Sequence, residues 1–150
     1  MKESPQTKNL EQILRSSKMV AGGFMGSDSR SVAEIIDADA FEVSKFGYTT
    51  EQLSARMQEI TDVAKGGLGT WIEIDAQHQA MVEEARGSIP CPWPHLRRYV
   101  KRITTVRRLD SSQTIRWTDL NIHLIAEHCF FEGRGSAFRI VPDKLTKVIF

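Results

Sequence analysis

Apolar positions along the first 66 residues recur at helical spacing. Leu10, Ile13 and Leu14 share one side of residues 8–17. A glycine-rich loop, AGGFMGSDS, separates this segment from SVAEIIDADAFEVSKF. There Val32, Ile35, Ile36, Val43 and Phe46 face inward and Ser29 or Ser31 is the expected cap. A break is expected near Asp37–Asp39, and Gly47 ends the helix because glycine tolerates a left-handed backbone. Thr49 and Gln52 then have capping-box spacing, and Leu53, Met57, Ile60 and Ala64 follow as one stripe until Gly66 and Gly67.

After Gly69 the period changes from that of a helix to that of a strand. TWIEID alternates Trp71 and Glu73 against Ile72 and Ile74, and QAMVEEAR is its expected hairpin partner. IPCPWP must be extended, because proline fixes its own φ and pushes the preceding residue out of the α region. KRITTVRRL and QTIRWT flank DSS as a second hairpin. TDLNIHLIAEHCF reads as a helix capped by Thr118 or Asp119. GRG then turns the chain into a strand, SAFRIV, and Pro142 opens a last helix. The expected fold is α+β, with a helical N-terminal half followed by a mainly antiparallel sheet and one or two packed helices. Residues 1–7 read as a flexible N-terminus. Residues 8–150 read as a single domain, helical over 8–66 and sheet-rich over 70–150.

Composition supports a globular chain: 41% hydrophobic and 26% charged residues among 150 are enough for a sizeable core. No apolar run reaches the ~20 residues that a membrane helix needs. MKESPQTKNLEQ lacks the apolar core of an export signal. The two cysteines, Cys91 and Cys129, are therefore read as reduced thiols and the location as cytoplasmic. Net charge is +1, yet Arg97, Arg98, Lys101, Arg102, Arg107 and Arg108 form a basic segment free of acids.

Candidate chemistry gathers in two places. CPWPH holds Cys91 and His95 on a proline-locked backbone, and NIHLIAEHC carries Asn121, His123, Glu127, His128 and Cys129 on a helix. At about 100° per residue, His123 and Glu127 share a face, which makes them a candidate acid–base pair or an ordinary helix ion pair. Asn121 and His128 share another face. His123 and His128 point roughly 140° apart, so the two are not expected to ligate one metal from a regular helix. The metal or ligand reading thus joins Cys91 and His95 to His128 and Cys129, with Asn121 beside them. Zinc is the ion that such nitrogen and sulfur donors suit. The competing reading makes Cys91 a small buried residue and PWP a rigid crossing.

Two further features point elsewhere. AGGFMGSDSRS leads into a helix N-terminus that can hold an anion, but it lacks a phosphate-loop pattern. AFEVSKF-GYT-TEQLSARM has helix–turn–helix form and would expose Gln52, Ser54 and Gln58, although Glu51, Glu59 and Asp62 on the same side would repel phosphate. Together with the basic segment around Tyr99, this keeps a nucleic-acid or acidic-partner module open as the alternative to a small-ligand or metal-binding domain. A purely structural protein without a chemical site is the third reading. Oligomeric state is not legible.

RSSKMVAGGFMGSDSR and IRWTDLNIHLIAEHCFFEGRGSAFR resemble a family of bacterial "cytosolic proteins", and the likeness runs roughly from Ser16 to Phe150. The resemblance implies an intracellular protein and carries no activity, cofactor or catalytic residue.

Overall fold

The computed structural model describes residues 4–150, which form five α-helices, one short 3-10 turn and a four-stranded antiparallel sheet. This is the α+β arrangement expected, with helices first and the sheet after them. Helix α1 spans Pro5–Arg15, α2 Val32–Lys45 and α3 Thr50–Ala64. Strands β1 (Ile72–Asp75), β2 (His78–Pro90), β3 (Arg98–Arg108) and β4 (Thr114–Thr118) pair in chain order. Helix α4 (Asp119–His128) follows β4 directly, and α5 (Pro142–Ile149) closes the chain.

The caps explain where the helices begin. Ser31 and Glu34, Thr49 and Gln52, and Thr118 and Asn121 each form a complete capping box at the starts of α2, α3 and α4. Helix α1 starts earlier than expected: the Ser4 hydroxyl caps it, and Pro5 occupies the first turn, where a missing N–H costs nothing. Of the segment read as flexible, only residues 1–3 lie outside the described residues.

Two apolar clusters form the interior. In the larger, Leu53, Met57, Ile60 and Ala64 of α3 lie against Ala80, Val82, Val106, Ile115 and Trp117 of the sheet. The Trp117 indole N–H donates to the Thr61 hydroxyl at 2.9 Å, and Thr61 is hydrogen-bonded in turn to Thr104 at 2.9 Å. In the smaller, Leu14, Phe24, Met25, Val32 and Ile35 meet Cys91, Leu120, Leu124 and Phe130. Helix α4 belongs to both: Ile122 and Ile125 face one cluster, Leu120 and Leu124 the other. The helix is thus buried from Leu120 to Ile125 and exposed only at Ala126 and Glu127, so His123 lies within its buried stretch.

Two expectations change. Helix α2 runs unbroken through Asp37–Asp39, because buried Asp39 is paired with the Arg139 guanidinium, Nη2 to Oδ1 at 2.8 Å. SAFRIV is not a strand: residues 136–141 turn beyond β4, held by backbone bonds from Ser136 to the Gly133 carbonyl, Arg139 to Ser136 and Ile140 to Phe131, and by the Arg139 guanidinium, which also donates to the Glu132 carbonyl.

The glycine-rich loop docks on the loop after α4. A Cβ on Gly133 would lie 2.3 Å from the Met25 carbonyl oxygen, so only glycine fits there. Asp28 accepts from the Arg134 amide and from Arg30, and the Arg30 guanidinium holds its carboxyl well below the usual range. The first amides of α2 already bond Ser31, Glu34 and Glu11. The loop is thus a packing element whose free donors are taken by protein groups.

Candidate metal centre

Two elements supply the site. Between β2 and β3 the CPWPH loop is closed by a hydrogen bond from the Cys91 amide to the Arg97 carbonyl at 3.0 Å, with the His95 amide bonded to the Trp93 carbonyl at 2.8 Å. Helix α4 faces it, contributing His123 from its middle and His128 from its last position. The Trp93 ring stacks on His128 at 4.1 Å between centroids, and Tyr99 of β3 stacks on His123 at 4.6 Å. The two aromatic rings fix the imidazole planes.

Cys91, His95, His123 and His128 converge. Their donor atoms all lie within 4.8 Å of one another, with Cys91 and His123 buried and the other two half-buried. His95 Nε2 is 3.1 Å from His123 Nε2 and 3.2 Å from His128 Nε2, and Cys91 Sγ is 3.6 Å from His128 Nε2. A tetrahedral ion with metal–nitrogen bonds of about 2.0–2.1 Å and a metal–sulfur bond of about 2.3 Å requires edges of about 3.3–3.4 Å between nitrogens and about 3.6 Å between nitrogen and sulfur. These three separations are close to those edges, while the donor set as a whole spans up to 4.8 Å.

Hydrogen bonding alone does not satisfy this group. A neutral imidazole nitrogen is either one donor or one acceptor. His95 Nε2 and His128 Nε2 each face two neighbours, so at least one close contact is left without a bond. A central cation would take the lone pairs of all four. Burial, with the nearby His128 and His95, pushes His123 down to about 4, and burial also lowers His128. Both rings are therefore neutral at pH 7, the form that ligates. Burial pushes the Cys91 thiol up, so a metal must displace a proton there. His95 Nδ1 is buried and has no hydrogen-bond partner among the described residues. On a ligand histidine that nitrogen carries the proton and normally finds an acceptor.

The convergence of His123 and His128 corrects the helical-wheel argument. The angle of roughly 140° describes Cβ directions in a continuing helix. Here the helix ends at His128, because Cys129 takes a left-handed backbone (φ 53°), and two long side chains reach round to one point from different heights.

The other candidates lie apart. Cys129 turns toward α3, its Sγ 3.7 Å from the Thr50 hydroxyl oxygen. Asn121 caps α4 and donates to the Glu132 carboxylate at 2.7 Å. Glu127 is exposed and makes no hydrogen bond to His123 among the described residues; His123 faces the cluster instead. In the basic segment, strand alternation places Lys101 and Arg107 on one face of β3 and Arg98, Arg102 and Arg108 on the other. Arg102 pairs with Glu84 and Asp119, and Arg108 with Asp110. On α3, Ser54 is buried and Arg56 binds Asp75 and the Ile149 carbonyl, so the supposed reading helix packs against the body of the protein.

One residue escaped the sequence reading. Glu132 is buried, with φ at 67°, and burial pushes its carboxyl up to about 7. The available signal was an acid placed directly after the apolar pair Phe130–Phe131.

The fold and site together define an α+β domain with a three-histidine, one-cysteine donor group that can hold a metal ion. No family model, curated protein or solved structure matches the chain.

Proposed function

We propose that this protein is a zinc-binding domain in which the ion joins the CPWPH loop to the end of α4. The observation that carries the reading is the approach of four donor atoms, one thiol and three imidazoles, to within 4.8 Å of one another. Zinc is favoured by the mixed nitrogen and sulfur donors and by three donor contacts of 3.1–3.6 Å, close to the edges of a tetrahedral shell. A structural role is favoured over a catalytic one because four protein donors leave no open position, whereas catalytic zinc keeps one for water or substrate. The role of each residue follows: Cys91 supplies the anionic ligand, His95, His123 and His128 neutral ones, and Trp93 and Tyr99 hold two rings in plane. The basic segment, divided between two faces and partly ion-paired, lends no comparable support to a nucleic-acid reading.

Metal analysis of protein purified without a histidine tag tests the proposal. One equivalent of zinc is expected, lost in both Cys91→Ala and His123→Ala. Protein that remains folded yet takes up no zinc, nickel or cobalt when these are supplied would overturn it.

A further inference from the structure

The two faces of the sheet differ in character. Thr104 and Val106 of β3 and Ile115 and Trp117 of β4 are buried on the inner face. Their neighbours alternate outward, where Arg116 pairs with Thr105 and Thr114 with Arg107. A cleft of about 370 Å³ opens on this outer face, between β4, Thr105 and the segment from Ala137 to Lys144. That volume is within the range of small-molecule pockets, about 300–1,000 Å³. None of the four metal donors lines it.

Every charged side chain in the cleft wall is a cation: Arg116, Arg139 and Lys144, beside the hydroxyls of Thr105 and Thr114. Arg139 is neutralised by Asp39, Nη2 to Oδ1 at 2.8 Å. Arg116 and Lys144 meet no carboxylate within ion-pair distance among the described residues. The Arg116 guanidinium lies over the Phe138 ring, 4.9 Å from its centroid, which orients it without cancelling its charge. The surrounding acids are engaged or remote. Asp143 of α5 pairs with Lys147 at 3.0 Å. Glu73 and Glu83 share the outer face but stand on β1 and β2, three strands and two strands away from β4. At the usual strand spacing that is about 14 and about 10 Å, or at least a Debye length at ~0.1 M salt. Two uncancelled positive charges therefore border the cleft.

We propose that this cleft binds a small organic phosphate monoester, its phosphoryl oxygens on Arg116, Lys144 and the two threonine hydroxyls, its organic part along Ala137 and Val141. A monoester carries a charge of about −1.5 to −2 at pH 7, which matches two free cations, and its oxygens accept from donors on several sides. A carboxylate brings one charge and two oxygens in a plane, and so leaves one cation without a partner. The proposal is independent of the metal reading.

Calorimetric titration of the full chain with phenyl phosphate, inorganic phosphate and benzoate tests it. Phenyl phosphate is expected to bind, inorganic phosphate several-fold more weakly for want of the apolar contact, and benzoate at least tenfold more weakly. Arg116→Gln and Lys144→Gln each remove one charge at an exposed position, where substitution costs little stability. Each should weaken phenyl phosphate at least tenfold. Lys101→Gln, on the same outer face but outside this cleft, should leave the affinity unchanged. No phenyl phosphate binding, benzoate or inorganic phosphate bound as tightly, full affinity in either cleft variant, or an equal loss in Lys101→Gln would each overturn the proposal. Metal content is expected to be unchanged in all three variants.

Discussion

At the scale of single residues, the chain keeps ionisable groups in the interior under different constraints. Glu132 is raised to about 7 by burial, against an ordinary value of 4.5. Between those values the folded protein binds more protons than the unfolded chain. The stabilising contribution of the protonated acid is therefore full below about pH 4.5 and is lost as pH rises through about 7. Glu132→Gln should be close to wild type in stability at pH 4.5 and more stable by a few kcal/mol at pH 8. Denaturant unfolding at the two pH values checks this; equal differences at both would contradict it. Arg139 offers the opposite case. Its guanidinium pairs with Asp39, 3% exposed, and Arg139→Ala would leave that carboxylate buried without a cation. A loss of about 3–5 kcal/mol is expected in the same measurement. His78 is bonded on both ring nitrogens, to the Asp75 carboxylate and to the Val148 carbonyl, each at 2.7 Å. These two contacts tie β2 to β1 and α5.

At the scale of elements, start signals were the clearest feature of the sequence. Ser31, Thr49 and Thr118 cap the helices that their spacing predicts, because a capping box is a local arrangement of four residues. Strand alternation likewise placed β1 to β4, since cross-strand burial is written into every second residue. SAFRIV failed as a strand for a tertiary reason: beyond β4 no partner strand is offered, and Arg139 draws the segment toward α2. The metal group was half legible. Cys91, His95 and His128 were readable as candidates from residue type and from the rigid loop. His123 was assigned elsewhere, because the wheel assumes a helix that continues, whereas α4 stops at His128. Nothing local shows that Trp93 and Tyr99 will stack on the two imidazoles. The capping box of α4 positions the helix that carries His123 and His128. Thr118→Ala should cost about 1 kcal/mol of stability. Metal stoichiometry should be unchanged, since nearly three turns of helix separate the cap from His128.

At the scale of the molecule, two apolar clusters share α4, and the donor group lies where the β2–β3 loop meets the end of that helix. A bound ion would join segments 28 to 37 residues apart in the chain. Binding only the folded form stabilises it by about 4 kcal/mol when free metal is 1,000 times Kd. For a chain of this size each kcal/mol raises Tm by about 2–4 °C. A strong chelator should therefore lower Tm by about 8–16 °C, and restored zinc should reverse the change. No helix among the described residues is long and apolar enough to cross a membrane.

Cys91, His95, His123 and His128 are proposed to hold one ion in a tetrahedral shell, and optical titration of the metal-free protein with cobalt(II) tests that assignment. The prediction is intense visible d–d absorption that saturates at one equivalent, with a near-ultraviolet thiolate-to-cobalt band that disappears in Cys91→Ser. Weak octahedral absorption, or a spectrum unchanged by Cys91→Ser, would contradict it.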